Sequence, residues 1–482
     1  VLVLPVLGEG AVLVIAAIGL LAALVFQLPR IKSRTLVAIG SAVLLLAALC
    51  LLLALAMFPT KLFLVRLSPY KGLSQVLRFP DAEVVWQRWN AFSRVERVAS
   101  SAIRSAPGLS LSYPGSLPEE DGLFVDGEDL SPVVAHTEDL KALTGYLPVA
   151  LPYQLRPGAQ VLLLEPRGGL DVLVALHQGA SAVVAVESNP LVVQAAGDLY
   201  KDERVAVVVE DGRSYAHRDE VLYDIVHLSL SDSYQPVTSG AYSLGERYDL
   251  TVEAFSDYIL RLRPNGLLVV ERWLQLPPSE MLRAGATAVE ALRRAGVEDP
   301  ASQLAVVRGW QVGLILVKNG EFTGEEIAAI RRFSQLQDLD LVALPGLLEE
   351  EANQRNVLSE PVHFRAFQQL LTDPRSLYAA QTYDVRPVTD DHPFFFHFFR
   401  WGQTGAVLAQ LGRTWQPWGG SGYFVLIALL IVAVLTSMSL ILLPLILAIR
   451  GKVGLEGPRG RVLVYFGLLG LGFLFVEIPL MQ

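Results

Sequence analysis

The pattern of apolar and polar positions is clearest between Val161 and Glu187. Val161–Leu164 is apolar throughout, as expected of a strand buried on both faces. A turn at Glu165–Gly169 ends in two glycines, Leu170–Gln178 has apolar residues at helical spacing, and Ala182–Val186 is a second apolar run. The pattern predicts a β-α-β unit whose turn faces a ligand. Its closing acid, Glu187, stands about 20 residues further on, where a ribose hydroxyl is held in such units.

Strand-like and helix-like segments continue to alternate after this unit. Further strands are predicted at Val205–Val209, Asp224–Leu228, Leu267–Val270, Gln311–Lys318 and Leu339–Leu344, and helices at Pro190–Tyr200, Thr251–Leu262 and Glu325–Gln335. This alternation indicates an α/β fold with a doubly wound, mostly parallel Rossmann-like sheet. Before it, Glu83–Val125 alternates polar and apolar residues between Pro/Gly turns, which predicts a small antiparallel β unit.

Long uncharged runs occupy both ends of the chain. Ala11–Leu28, Leu36–Phe58, Tyr423–Ile449 and Val462–Met481 carry no charge except Glu477 in the last run. Each is long enough, or nearly so, to cross a hydrocarbon core of ~30 Å as a helix. The runs predict four transmembrane helices and an integral membrane protein, with the lipid bilayer as a partner. Because the chain stops inside an apolar run, we expect a segment of a larger polytopic protein.

These patterns predict four regions. They are 1–60 with two transmembrane helices, 61–150 with the small β unit and a connecting helix, 151–414 with the Rossmann-like nucleoside-binding domain and its C-terminal extension, and 415–482 with two more transmembrane helices.

The composition of the chain argues against some classes of function. The 482 residues are 52% hydrophobic, with a mean hydropathy of +0.42 and a net charge of −9. The acidic balance and the lack of a basic stripe argue against nucleic acid as a partner. The only cysteine, Cys50, lies in a predicted span, so disulfides have no role.

Polar residues follow each of the first five predicted strands of the Rossmann-like sheet. They lie in the turn Glu165–Gly169, at Glu187, at Glu210–Gly212, at Ser229–Tyr234 and at Glu271–Trp273. In an open α/β sheet, ligands bind beyond the carboxyl ends of the strands. A single acid in such a place is often only solvated or a helix cap, but five successive polar strand ends favour a binding site. Glu187 would accept from ribose hydroxyls and Asp211 from an adenine amino group.

The chain from about residue 70 to residue 273 resembles the spermidine synthase family, which has a class I methyltransferase-type Rossmann core. The resemblance is carried by Leu123–Gly127, Val205–Gly212, Tyr223–Val226 and Tyr242–Leu268. With its flanking spans, the chain is most similar to the membrane-attached, spermidine-synthase-like branch found in bacteria, which implies a location in the bacterial inner membrane. The resemblance implies transfer of an aminopropyl or methyl group to a small-molecule amine. The co-substrate would be decarboxylated S-adenosylmethionine or S-adenosylmethionine, with no metal.

The resemblance also implies roles for individual residues. The cofactor-binding set is Glu165, Gly168, Gly169, Glu187, Asp211 and Gly212, and the substrate-binding set is Asp126, Tyr234 and Trp273. The family's catalytic aspartate aligns with Ser229, whose hydroxyl is too weak a base to deprotonate an amine. Asp232 aligns with a second family aspartate and is the candidate base. Spermidine synthases generally form dimers or tetramers, which implies a homo-oligomer.

The glycine-rich turn also departs from the family. The family has Gly-Gly-Gly-Asp-Gly-Gly where this chain has Glu165-Pro166-Arg167-Gly168-Gly169. The side chains at 165 and 167 add bulk where a ligand approaches the backbone. Arg167 would repel a sulfonium unless Glu165 pairs with it. Near the small β unit, Glu128 and Asp129 would attract a polyamine cation, although a surface acidic pair is the simpler interpretation.

The segment Thr389–Trp401 combines acids, two histidines and an aromatic run. The five-residue spacing of His392 and His397 suits a metal site poorly. Aromatic residues beside Arg400, shortly before a predicted span, favour the headgroup layer or packing of the soluble domain on the membrane helices.

The side of the membrane on which the soluble domain lies is open. The two loops that join paired spans hold seven basic residues, Arg30, Lys32, Arg34, Arg450, Lys452, Arg459 and Arg461, which favours an extracytoplasmic domain. The family's ligands are cytoplasmic, which favours the reverse. An enzyme, a catalytically degenerate nucleoside-binding or scaffold module, and a transporter part suggested by Glu477 are the three hypotheses.

Overall fold

The computed structural model describes residues 46, 67–69, 71–134, 139–234, 243–405 and 421–439. Three predicted spans, Ala11–Leu28, Leu36–Phe58 and Val462–Met481, lie outside these residues apart from Leu46. The chain divides into two compact units, with the boundary after Gly420.

The first unit contains two sheets. The smaller is antiparallel, with the order β1-β2-β3-β4. Its strands are β1 (Glu83–Trp89), β2 (Arg94–Ala99), β3 (Glu120–Val125) and β4 (Glu128–Val134). The predicted antiparallel β unit is therefore confirmed, and it extends beyond Val125 by one strand.

The larger sheet has eight strands in the order β12-β10-β11-β9-β8-β5-β6-β7. They are β5 (Gln160–Leu164), β6 (Ala182–Val186), β7 (Val205–Val208), β8 (Tyr223–Leu228), β9 (Leu262–Trp273), β10 (Leu304–Arg308), β11 (Val312–Lys318) and β12 (Asp340–Ala343). The pairings among β5 to β9 are parallel, and those of β9 with β11, β11 with β10 and β10 with β12 are antiparallel. The predicted α/β class with a mostly parallel Rossmann-like sheet is confirmed.

Helices connect and cover the strands of the first unit. They are α1 (Gly72–Val76), α2 (Asp139–Thr144), α3 (Leu151–Leu155), α4 (Leu170–His177), α5 (Pro190–Ala196), α6 (Gly212–Arg218), α7 (Val252–Leu260), α8 (Glu280–Arg294), α9 (Gly324–Leu336), α10 (Val362–Thr372) and α11 (Pro374–Ala380). Alternate residues of β5 enter two separate cores. Leu162 and Leu164 pack on one face of the sheet, and Val161 and Leu163 pack on the other. This explains the uninterrupted apolar run.

Two predicted boundaries differ from the structure. The helix predicted at Thr251–Leu262 ends at Leu260, and Pro264-Asn265-Gly266 lies within β9 rather than in a turn. The pairing of β9 with β11 begins only at Leu267, and the register of β9 with β8 shifts between Leu262 and Leu267, so the tripeptide forms an irregularity inside the strand. Asn265 donates its backbone N–H to the carbonyl oxygen of Asn319, and Asn319 donates its own to the carbonyl oxygen of Gly266. The helix predicted at Pro190–Tyr200 ends at Ala196, and a 3-10 turn, Gly197–Lys201, follows it.

The described part of the second unit is helical. Helix α12, Ser421–Ser437, covers the beginning of the predicted span Tyr423–Ile449. Within the ranges that the structure describes, no helix combines the length and the apolar character that crossing a bilayer requires.

Candidate functional site

The larger sheet reverses its strand order between β5 and β8, which is where open α/β sheets place their ligands. A cavity of about 40 Å³ lies at this point. Residues that follow β5 and β8 line it together with parts of β4 and β9. The lining residues include Ser131, Pro132, Asp171, Ser229, Asp232, Glu271 and Trp273.

The turn after β5 is packed against the chain's own atoms. Glu165 and Arg167 adopt left-handed backbone conformations, with φ of 53° and 54°, where the family has glycine. Gly168 donates its N–H to Ser131 Oγ at 2.9 Å, and a Cβ on it would lie 2.2 Å from the carbonyl oxygen of Pro132. A Cβ on Gly169 would meet the Leu199 side chain at 1.7 Å. Both glycines therefore allow the turn to pack against β4 and Leu199, where the resemblance implied that they admit a ligand.

Glu187 follows β6 as predicted, but its carboxylate is closed off. The residue has no exposed surface, and its two carboxylate oxygens accept from the backbone N–H groups of Arg167 (3.2 Å) and Asn189 (3.1 Å). Glu165 lies beside it and accepts from Ser188 Oγ at 3.1 Å. Burial, followed by the charge of Glu187, raises the pKa of Glu165 well above its ordinary value. In this conformation no ribose hydroxyl reaches Glu187.

Arg167 lies among acids. Burial acts to lower the pKa of its guanidinium, but the negative charges of Glu187, Asp129 and Glu165 outweigh burial and raise it. Arg167 Nη2 is 3.9 Å from Asp129 Oδ2, and Asp129 Oδ1 accepts from the backbone N–H of Ser233. Asp129 is thus engaged with the turn after β5 and the segment after β8.

Asp232, the candidate base, is held by two arginines. Arg272 Nη1 lies 2.9 Å from Asp232 Oδ2, and Arg247 pairs with Oδ1. Burial acts to raise the pKa of the Asp232 carboxyl, but the charges of Arg247 and Arg272 outweigh it and hold that pKa well below its usual range. A carboxylate with so low a pKa is a poor acceptor for an ammonium proton at neutral pH.

The residues around Asp232 divide between two cavities. Ser229 is 3% exposed, lines the 40 Å³ cavity, and its Oγ has no hydrogen-bond partner among the described residues. Trp273 donates from Nε1 to the backbone oxygen of Asp232 at 2.7 Å, and its ring meets Tyr234 edge to face at 5.8 Å. Tyr234 and Trp273 both line a second cavity of about 570 Å³, with Arg308 and His363 on other parts of its wall.

The other predicted site residues have structural contacts. Asp126 lies in the turn between β3 and β4 and accepts from the backbone N–H of Arg94 at 2.8 Å. Asp211 caps α6 by accepting from the backbone N–H of Ser214 at 2.8 Å. Gly212 is the first residue of α6 and lies over Leu164. The structure does not bring Asp126, Asp211 or Gly212 to the wall of the 40 Å³ cavity.

The structure brings together three titratable side chains that were not predicted from the sequence to lie close to one another. Asp171 in the first turn of α4, His227 in β8 and Glu271 in β9 bring their donor atoms within 4.8 Å of one another. Burial, followed by the charge of Asp171, raises the pKa of Glu271 to about 7. Burial acts to lower the pKa of His227, but the charges of Asp171 and Glu271 raise it. The one sign of this cluster in the sequence is His227, a polar residue within the otherwise apolar end of β8, Ile225–Leu228.

The aromatic segment Thr389–Trp401 packs inside the first unit. Phe395, Phe398 and Phe399 are buried, and the guanidinium of Arg283 in α8 lies 4.3 Å from the centre of the Phe398 ring. Asp390 pairs with Arg213 at 2.7 Å. The interpretation of these phenylalanines as a headgroup-layer belt is wrong, because they complete the core of the α/β domain.

Solved structures share parts of this architecture. The chain is similar to a probable spermidine synthase from Corynebacterium glutamicum (TM-score 0.38, 16% identity, covering 52% of this chain and 87% of that one). It is also similar to a spermidine synthase in complex with the transition-state analogue AdoDATO (0.35, 14%, 60% and 87%) and to human methyltransferase-like protein 13 in complex with SAH (0.29, 17%, 42% and 92%). No protein-family model and no curated protein sequence matches the chain.

Proposed function

We propose that the α/β domain is a catalytically degenerate scaffold module on a transferase-type Rossmann fold. The observation that carries this proposal is the pairing of Asp232 with Arg247 and Arg272. An aminopropyl or methyl transfer needs a base that takes the proton of the attacking amine. Ser229 stands where the family has its aspartate, and Asp232 is held as an ion pair.

The space at the strand ends supports the same proposal. Small-molecule sites usually occupy about 300–1,000 Å³, whereas the cavity at the reversal of strand order is about 40 Å³. Glu187 is buried and accepts one backbone N–H group on each carboxylate oxygen, and the position beside Gly168 is filled by β4. An adenosyl group would have to displace the turn at residues 165–169 before it reached Glu187.

A second candidate is a transferase of the spermidine synthase type with a different base. It is favoured by Glu271, whose carboxyl group lines the same cavity as Ser229. A sulfonium nucleoside, decarboxylated S-adenosylmethionine or its parent, would transfer an aminopropyl or methyl group to an amine. The carbon–sulfur bond breaks, the carbon–nitrogen bond forms, the nucleoside leaves as a thioether, and Glu271 takes the ammonium proton.

A turnover assay separates the two candidates. The full chain, purified in detergent, is incubated with either sulfonium nucleoside and a series of diamines, and thioether product is followed by mass spectrometry. The scaffold proposal expects no product above an enzyme-free blank. Product that disappears in Glu271→Gln and persists in Glu120→Gln, which changes a buried carboxyl group of the small antiparallel sheet, would replace the scaffold proposal with the transferase.

We also propose that the module is attached to a membrane by its uncharged terminal runs. Four such runs flank the α/β domain, and α12 begins one of them. Cysteine labelling tests both attachment and sidedness. With Cys50 replaced by serine, a cysteine at Leu336, which is 73% exposed, should react in intact cells only if the domain lies outside. Recovery of the chain in the soluble fraction after lysis would contradict attachment.

A further inference from the structure

We propose that Asp171, His227 and Glu271 form a binding site for a divalent cation of the zinc class. This site goes beyond the scaffold proposal and does not depend on a nucleoside. The three side chains come from α4, β8 and β9, so the fold and not local sequence brings them together. Their donor atoms lie within 4.8 Å of one another, and His227 Nε2 is 3.9 Å from Glu271 Oε2.

The imidazole of His227 is the observation that points to a ligand. The residue is 1% exposed, and neither of its ring nitrogens has a hydrogen-bond partner among the described residues. Buried polar groups are nearly always paired, since an unpaired one costs roughly 1–3 kcal/mol. A cation between the imidazole and the two carboxylates gives one ring nitrogen a bond and gives both carboxylates a counter-charge.

The spacing of the donor atoms fits a common ion. Zinc bonds to imidazole nitrogen and carboxylate oxygen are about 2.0–2.2 Å long, so two ligands of a tetrahedral ion lie about 3.3–3.6 Å apart. His227 Nε2 and Glu271 Oε2 are 3.9 Å apart, and the other donor atoms, which lie within 4.8 Å, reach the zinc spacing if side-chain rotations move them by about 1 Å. Two carboxylates and one neutral imidazole also balance a charge of +2.

The site has room for a further ligand. Asp171 and Glu271 both line the 40 Å³ cavity, and Ser229 lies on the same wall. One water needs about 10–15 Å³ of such space. Three protein ligands and an open position filled by water form the arrangement that zinc adopts in exchangeable sites.

The ligand chemistry selects among cations. Imidazole nitrogen favours zinc, iron, copper and nickel, whereas magnesium and calcium prefer oxygen ligands only. A second arrangement needs no ion: a proton shared directly between His227 and Glu271. In that arrangement zinc would not bind with stoichiometric affinity, so the same experiment tests it.

The test uses the full chain without a histidine tag, stripped with chelator and titrated with zinc chloride alone, with magnesium chloride as the comparison. We expect one zinc per chain after dialysis and no retained magnesium. We expect the affinity to fall at least about 100-fold in His227→Gln and about 10- to 100-fold in Glu271→Gln and Asp171→Asn. His363→Gln and Glu120→Gln, which change a buried histidine and a buried acid of the small antiparallel sheet, should keep the wild-type affinity.

X-ray absorption of the zinc-loaded wild-type chain provides a readout that needs no variant. We expect nitrogen and oxygen ligands only, with the scattering of a single imidazole. Failure of the wild-type chain to retain zinc would overturn the proposal, as would undiminished affinity in folded His227→Gln or a shell without imidazole. None of these results depends on whether a nucleoside binds, so they stand apart from the scaffold proposal.

Discussion

Arg272, which has no exposed surface, places its Nη1 atom 2.9 Å from Oδ2 of Asp232 and holds this aspartate at the end of β8. Arg247 pairs with the other carboxylate oxygen. A carboxylate between two guanidinium groups stabilises the fold by compensating buried positive charge. The pairing gives Asp232 a structural role and holds the pKa of its carboxyl well below the range that suits a base at neutral pH.

Replacement of this aspartate should therefore destabilise the protein. In Asp232→Asn, Arg272 loses its carboxylate partner at 2.9 Å and Arg247 keeps only Asp249, and we expect the free energy of unfolding to fall by roughly 3 kcal/mol. Chemical denaturation followed by circular dichroism measures the change. Glu349→Gln, which removes an exposed partner of Arg365, serves as the control and should have little effect. Equal stability of Asp232→Asn and the wild type would show that the arginine pairing contributes nothing.

Glu280 predicts a pH dependence of stability. It is 1% exposed, and burial raises its pKa to about 8 although Arg272 and Arg247 act in the opposite direction and Asp232 in the same one. Between about pH 4.5 and 8 the folded chain keeps a proton that the unfolded chain releases. Stability therefore falls as pH rises through this window, with a slope of up to ~1.4 kcal/mol per pH unit.

Glu280→Gln should remove this part of the slope, so the variant should gain stability relative to the wild type as pH rises from 5 to 8. Denaturation midpoints at several pH values measure the difference. Glu325→Gln, which changes an exposed residue in the first turn of α9, is the control. Its stability should change with pH as the stability of the wild type does. If the difference in stability between the wild type and Glu280→Gln stays constant with pH, the raised pKa of Glu280 is refuted.

Gly168 should not tolerate a side chain. A Cβ at this position would lie 2.2 Å from the Pro132 carbonyl oxygen, which belongs to the backbone of β4. We expect Gly168→Ala to lower the free energy of unfolding by about 1–3 kcal/mol, as overpacked cores do. Gly324→Ala, at a helical position with open space around it, should be neutral or stabilising by up to about 1 kcal/mol. Similar stabilities of the two variants would contradict the close contact between the turn and β4.

Much of the fold can be predicted from the sequence because the central strands are buried on both faces. The apolar runs at β5 and β6 matched the observed strands to within one residue. β9 was predicted too short because Pro264-Asn265-Gly266 has the composition of a turn. In the structure this tripeptide is an irregularity within the strand, held by backbone hydrogen bonds with Asn319 that the sequence does not show. β10 and α8 were not predicted, although both are largely buried.

The hydrogen-bond partners of the residues that follow the strands could not be predicted from the apolar pattern. Glu187 and Asp211 stand where the pattern placed them, yet one accepts from backbone N–H groups and the other caps a helix. These partners depend on the conformation of the turn after β5 and on where α6 begins. The approach of Ser131 to Gly168 and of Ser233 to Asp129 joins segments far apart in sequence, which spacing alone does not reveal.

In the structure, the protein's own side chains fill the space beyond the carboxyl ends of β5 and β8. Isothermal titration calorimetry of the full chain with decarboxylated S-adenosylmethionine tests this most directly. The account predicts no heat of binding at ligand concentrations up to the millimolar range. A saturable signal with micromolar affinity, lost in Glu187→Gln and retained in Glu325→Gln, would contradict it.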